Sequence, residues 1–205
     1  MALVEPLVRA DLSDAAAVLG RAFHTNPGLV AILKDDSPAE RLRLTTIGMG
    51  AFASASIRVG TGEVIKQDGK VVAVSLSYAP GAYPPPLWAE LLIATGLLRG
   101  GLRRMLRFGQ ADAVMRKRHL REPHWYLWVL GVDPDQQGRG FGSELLRALS
   151  ARAERDGAPC YLETDRASNV RLYERHGYAL QDETVVPKLD FRLWFMLRPR
   201  ARYSS

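Results

Sequence analysis

The 205-residue chain contains a single cysteine, Cys160. A lone thiol makes no intramolecular disulfide and no cysteine metal cluster, so the expected setting is reducing and cytoplasmic, and Cys160 reads as a small core residue. The four histidines show no ligand spacing. His-Glu-x-x-His, calcium-loop and Gly-x-Ser-x-Gly patterns are missing as well, so neither a metal site nor a serine nucleophile is expected. The longest apolar stretch, residues 87–98, is interrupted by Glu90 and is too short to cross a bilayer. The first residues lack the basic and apolar segments of a secretion signal, and no membrane association is expected.

What the chain does contain is ordinary globular material, 47% hydrophobic and 24% charged, at a length that suits one domain. Its 28 basic and 22 acidic residues leave a net charge of +6, which favours a polyanionic partner: nucleic acid, a membrane surface or a phosphorylated cofactor. Part of that charge lies in a helical stretch over 101–120, where Arg103, Arg104, Arg107, Arg116, Lys117 and Arg118 face one acid, Asp112. With only Phe108 between them, these residues lack the aromatic interleaving of a nucleic-acid groove. They read as a solvated helix face whose arginine stems cover apolar surface.

Periodicity orders the rest. A strand around Val4 to Val8 precedes a helix that Asp11 is expected to cap, with Leu12, Ala15, Ala16, Leu19, Ala22 and Phe23 on its apolar face. Asn26-Pro27-Gly28 breaks the pattern. Ser37-Pro38-Ala39-Glu40 then combines a cap, a proline at the first helical position and an acid in the first turn, predicting a second helix over 38–57. Residues 62–67 and 70–78 form a predicted hairpin around Asp68-Gly69. The nearly continuous apolar run 125–132 predicts a central strand buried on both faces. Helix 140–156, strand 158–164, helix 169–176 and strands 177–186 and 190–197 complete an α/β (α+β) fold with a mixed sheet. It is read as one domain over 1–205, with an N-terminal half 1–80, a helical insertion 81–121 and a C-terminal half 122–198.

The most informative segment runs from Leu130 to Ser143. Glycines at 138, 140 and 142 lie between the end of a buried strand and the start of a helix. There, unpaired amides and the positive end of the macrodipole favour phosphate, and Arg139 or Ser143 can add a donor. No lysine follows the glycines as a P-loop requires, and the match to a dinucleotide fingerprint is poor.

Gln137-x-x-Gly140-x-Gly142 after a strand ending in Val132 resembles the acyl-CoA pyrophosphate signature of the GNAT acyltransferase superfamily. Ser168-Asn169-Val170-Arg171-Leu172-Tyr173-Glu174-Arg175-His176-Gly177-Tyr178 is similar to that family's downstream helix. Residues 122–198 as a whole resemble the puromycin N-acetyltransferase-like bacterial enzymes, whereas the first half resembles the family only in the order of its elements.

The resemblance implies a seven-stranded sheet flanked by helices, with the insertion at 84–121 as an extra. It also implies acetyl-CoA as co-substrate, no metal, and acetyl transfer to a primary amine by direct attack in a ternary complex. In that reading Gln137, Gly138, Arg139, Gly140, Phe141, Gly142 and Ser143 cradle the pyrophosphate. The pantetheine arm runs along Leu130, Gly131 and Val132, with Gly131 read as the bulge that opens the strand. Asn169 holds the pantetheine, Tyr173 protonates the departing thiolate, and Arg139, Arg171 or Arg175 meets the phosphates. For Tyr173 the physics agrees, because a phenol within reach can supply the proton that sulfur needs.

For the general base Glu163 stands first, with Glu122, His124 and Tyr78 as alternatives. Phe23, His24, the stretch from Tyr78 to Tyr83 and Trp194 are expected at the acceptor side. The acceptor is expected to be a small-molecule amine and the chain a monomer or homodimer. A protein or peptide amine, or a CoA-binding protein without turnover, remain alternatives.

Overall fold

The computed structural model describes residues 2–91 and 101–200. Seven strands form one mixed sheet in the order β1-β2-β3-β4-β5-β7-β6: β1 (Val4–Pro6), β2 (Thr61–Gln67), β3 (Lys70–Tyr78), β4 (Trp125–Val132), β5 (Cys160–Thr164), β6 (Ala179–Val185) and β7 (Arg192–Arg198). One face carries α1 (Leu12–Phe23), α2 (Pro27–Ile32), α3 (Pro38–Val59) and α4 (Leu102–Arg118). The other face carries α5 (Phe141–Arg155) and α6 (Ala167–Arg175).

Local chemistry explains most element ends. The Ser37 hydroxyl accepts the Glu40 amide at 3.2 Å, and Pro38 opens α3, as its sequence predicts. Asp68 and Gly69 both take positive φ, 50° and 75°, which suits the tight turn joining β2 to β3. Two local expectations fail for tertiary reasons. The Asp11 carboxylate does not cap α1; it accepts the Val8 amide at 3.2 Å and pairs with Lys66 of β2 at 2.9 Å. Asn26-Pro27-Gly28 does not merely break the chain but starts α2, because the half-buried Asp165 carboxylate accepts the Gly28 amide at 2.8 Å and the Asn26 side-chain amide at 3.1 Å. Of the apolar stretch 87–98 within the expected helical insertion, 87–91 are helical and 92–98 lie outside the described residues. The arginines of α4 do find acids, in other elements: Arg104 pairs with Asp36, Arg107 with Asp35 at 2.7 Å and Arg118 with Asp182 at 2.9 Å.

The sheet parts between β4 and β5. These parallel strands pair only at Trp125↔Cys160, Tyr126↔Tyr161 and Leu127↔Leu162, after which β4 stays with β3 and β5 with β7. The irregularity that opens the split is at Trp128, not at Gly131. Leu76 faces Val129 and Ser77 faces Leu127, so Trp128 is the extra residue, whereas Gly131 pairs regularly with Val74. The bulge breaks the in-out alternation: Trp128 and Val129 both pack on the side of α1 and α3. Gly131 serves packing, since a Cβ there would lie 2.6 Å from Leu19 and 3.0 Å from Phe23, both on α1.

A second close approach joins α1 to α3: a Cβ on Gly20 would lie 2.1 Å from the Thr46 hydroxyl and 3.1 Å from its Cα. Gly20→Ala is expected to force these helices apart and cost about 1–3 kcal/mol. Gly109→Ala, in the middle of exposed α4 with nothing within 4 Å, is expected to stabilise the chain by about 0.5–1 kcal/mol. Urea unfolding midpoints moving in opposite directions would verify both.

Candidate functional site

A cleft of about 890 Å³ opens where β4 leaves β5. At one end β4 runs into the glycine loop. The Asp133 carboxylate accepts the Asp135 amide at 3.2 Å, and the Gln137 side chain donates to the Val132 carbonyl at 3.2 Å, tying the loop to the strand it follows. Gly138 and Gly140 have φ of 78° and 86°, a left-handed backbone, and the space where their side chains would be is empty to 4 Å. Gly140 sits just before α5, whose first amides lack helical acceptors. The loop therefore presents an open, amide-rich concavity at a helix N-terminus, a setting that fits an anionic phosphate group.

Leu130, Gly131, Val132, Gln137, Gly138, Gly140, Phe141, Gly142, Ser143, Asn169, Tyr173 and Arg175 all line this cleft. Arg139 is not among the lining residues. Its guanidinium is hydrogen-bonded to the Gln136 side chain and lies 5.2 Å from the centre of the Phe141 ring. Arg171 is exposed on α6 and also outside the lining. The Ser143 hydroxyl lies 3.0 Å from Nε2 of His176, joining α5 to the end of α6, and the Asn169 side chain donates to the Thr164 hydroxyl at 3.3 Å.

Tyr173 and Glu163 reach the cleft from α6 and β5, at the level of the split. Tyr173 is 6% exposed, and burial, helped by the Asp165 carboxylate, pushes its phenol far above the ordinary range. At neutral pH its oxygen therefore carries a proton. The Glu163 side chain is 5% exposed, and its Oε1 has no hydrogen-bond partner. Beyond them the cleft is walled by α2 and α4 and by β4, with Phe23, Leu29, Phe108, Met115 and Trp128 as apolar surface and Glu90, Asp112 and Arg116 as charges. Of the other expected acceptor-side residues, Tyr83 lines the cleft, whereas His24, Tyr78 and Trp194 do not; nor do Glu122 and His124, the alternative bases. Tyr78 is fully buried, 5.4 Å from the Trp128 ring.

The α4 contribution was missed from sequence. Met105, Phe108, Asp112 and Met115 recur at helical spacing and share one face, a stripe that by itself says only that the helix packs on something. Among the described residues no group of three or more His, Cys, Asp or Glu is placed to hold a metal ion, and no helix is long and apolar enough to cross a membrane.

The family model of the acetyltransferase (GNAT) family matches residues 60–178, the span that contains β2 to α6 and the whole glycine loop. An uncharacterized N-acetyltransferase of Schizosaccharomyces pombe is 26% identical over 196 residues, covering 87% of this chain and 74% of that protein. A mycothiol acetyltransferase of Nocardiopsis dassonvillei is 38% identical over 68 residues, 32% of this chain but only 21% of its own length. Among solved structures, a protein described as histone acetyltransferase HPA2 and related acetyltransferase, from Corynebacterium glutamicum, superposes with a TM-score of 0.69 at 21% identity, both chains being covered completely. That likeness extends the agreement to the fold of the first half, where sequence similarity is weakest. An acyltransferase fold and the expected family are thus reached along independent routes, and the chain belongs to the acetyltransferase (GNAT) family.

Proposed function

We propose that this protein transfers the acetyl group of acetyl-CoA to the primary amine of a small molecule, by direct attack within a ternary complex. The observation that carries the reading is one continuous cleft. It runs from the open glycine loop, past Tyr173 and Glu163 at the β4–β5 split, to an apolar end under α4. Acetyl-CoA is the family's co-substrate and supplies an activated acetyl thioester.

In this reading the amides of Gln137 to Ser143 hold the pyrophosphate, with Arg175 adding positive charge at the cleft wall. The unpaired edge of β4 at Leu130, Gly131 and Val132 receives the pantetheine amides as a neighbouring strand would, and Asn169 supports the same arm from α6. Tyr173 holds the proton destined for sulfur; Glu163 takes the proton that the acceptor's ammonium must lose before its nitrogen can attack. The two groups work in opposite directions, and the cleft keeps both substrates aligned between them.

A small acceptor suits the far end of the cleft. There α4 is fastened to the segment after α2 by Arg104 with Asp36 and Arg107 with Asp35, and Arg107 also donates to the Ile32 carbonyl at 3.2 Å. This strap roofs the site. Phe23, Phe108 and Trp128 provide apolar contact, while Glu163 favours a cation; Glu90 and Asp112 are paired with Arg116. An amine on an apolar or aromatic body matches that lining.

Thiol release from acetyl-CoA, measured against aminonucleosides, arylalkylamines, polyamines and peptides, tests the reading; turnover confined to peptides would overturn its small-molecule part. Tyr173→Phe is expected to lower kcat by about 10²-fold while acetyl-CoA still raises the melting temperature as in the wild type. An unchanged kcat would remove Tyr173 from the proton step. Gly140→Val, in which a β-branched residue meets a φ of 86°, is expected to abolish that ligand-induced rise. A full rise in this variant would show that the glycine loop does not hold the cofactor.

A further inference from the structure

Behind Glu163, away from the glycine loop, lies a pair of histidines. His119 ends α4 and His124 precedes β4; their Nε2 atoms are 3.1 Å apart. Nδ1 of His124 is 2.7 Å from the Glu122 carbonyl, and Nδ1 of His119 is 3.5 Å from Oε1 of Glu163. The three side chains thus form one file from the cleft, through the base, to the outer end of β4.

The proton positions along the file follow from what each nitrogen faces. A carbonyl only accepts, so Nδ1 of His124 carries a proton. Burial holds His124 below its ordinary pKa, which keeps the ring neutral and leaves a lone pair on Nε2. Nε2 of His119 must then donate to it. A neutral His119 is left with a lone pair on Nδ1, aimed at a carboxylate oxygen that itself has no hydrogen-bond partner. Two acceptors face each other, and the file is short by one proton.

We propose that the His119–His124 pair is the proton relay of the acetyl transfer, with His119 taking up the acceptor's proton through Glu163. The proposal rests on the reading of Glu163 as the base. The step balances: the ammonium N–H bond breaks, its electron pair stays on the nitrogen that will attack, and the proton completes the Glu163–His119 contact as an imidazolium–carboxylate pair. The Nε2 contact then shares the added charge with His124. After transfer, one proton leaves to solvent, matching the overall release of one proton per acetylated ammonium. Around His119 stand the rings of Tyr83, Tyr126 and Tyr161, at 4.5, 4.6 and 5.0 Å between centres. Burial, joined at Tyr126 and Tyr161 by the Glu163 carboxylate that their hydroxyls face, raises all three phenols, Tyr83 to about 12, so they remain neutral. Further out, Arg116 pairs with Asp112 and Glu90, Arg118 with Asp182, and Arg200 with Glu122. Among the described residues Glu163 is therefore the one carboxylate paired with His119, and Glu122 stands beside His124.

Imidazole nitrogen chemical shifts of the full chain at neutral pH test the relay without any acceptor. They are expected to show His124 protonated on Nδ1 and His119 on Nε2. Glu163→Gln puts an amide that can donate where the carboxylate only accepts, so the Nδ1 resonance of His119 should shift in that variant while His124 keeps its tautomer. His119 protonated on Nδ1 in place of Nε2, or a His119 Nδ1 resonance that Glu163→Gln leaves unmoved, overturns the proposal. In turnover, His119→Gln is expected to lower kcat/KM for an alkylammonium acceptor by roughly 10- to 100-fold near neutral pH, with the deficit shrinking as pH rises. An arylamine, already neutral, should be acetylated nearly as fast as by the wild type, with acetyl-CoA affinity unchanged. Equal loss with both amines would make His119 structural only. Should the wild type acetylate no amine at all, the functional reading falls while the nitrogen shifts still decide the relay.

Discussion

The unpaired backbone of β4 beyond Leu127 is the constraint around which the rest is arranged. A parallel pair that stops after three residues leaves amides and carbonyls that a continuous sheet would have used, and such groups, once buried, need partners. The bulge at Trp128 adds twist and directs β4 away from β5, with β3 and β7 holding the two strands on their diverging courses. The split leaves a backbone edge inside the molecule, the kind of edge that an extended ligand rich in amides can complete.

The two layers of helices divide the work at that edge. On one side, α5 and α6 bring the glycine loop, Asn169 and Tyr173 to the cleft; on the other, α2 and α4 bring an apolar wall and a set of acids. The layer of α1 to α4 is keyed to the sheet by two polar contacts at the level of the split. Arg21 of α1 pairs with Asp133 at the end of β4, and Asp165 at the end of β5 holds the N-terminus of α2. These contacts fix the mouth of the cleft at both strand ends. Desolvation is the common electrical condition in the cleft and behind it: Tyr173 and Tyr126 are pushed up and His124 down, so each side chain takes its neutral form.

Much of this was legible because it is written locally. The cap at Ser37, the turn at Asp68-Gly69 and the glycines before α5 are each defined by residues within a few positions of one another, and there the expected and observed structures coincide. The resemblance to the acetyltransferases rested on the same kind of local pattern. What could not be read depends on distant partners. Gly131 looked like the bulge, but a bulge is a mismatch with another strand, and the mismatch with β3 falls at Trp128. Asp11 looked like a cap until Lys66 of β2 arrived beside it. His119 has no signature at all in the sequence, and it acquires a role only when β5 sets Glu163 next to it.

The strap formed by α4 is attached differently from everything beneath it. Among its described residues only Ala111 is buried, Leu102 and Leu106 are largely exposed, and it is tied to α2 and to the loop after it by half-buried Phe108 and by ion pairs to exposed Asp35 and to Asp36, whose side chain is covered. An exposed pair such as Arg107 with Asp35 contributes about 0–1 kcal/mol, far less than the packing that joins α1 and α3 to the sheet. Local stability in this molecule therefore falls steeply from the sheet to the roof of the cleft. The roof of the cleft is thus held partly by charge, and dissolved salt, by screening those pairs, weighs on the roof more than on the floor.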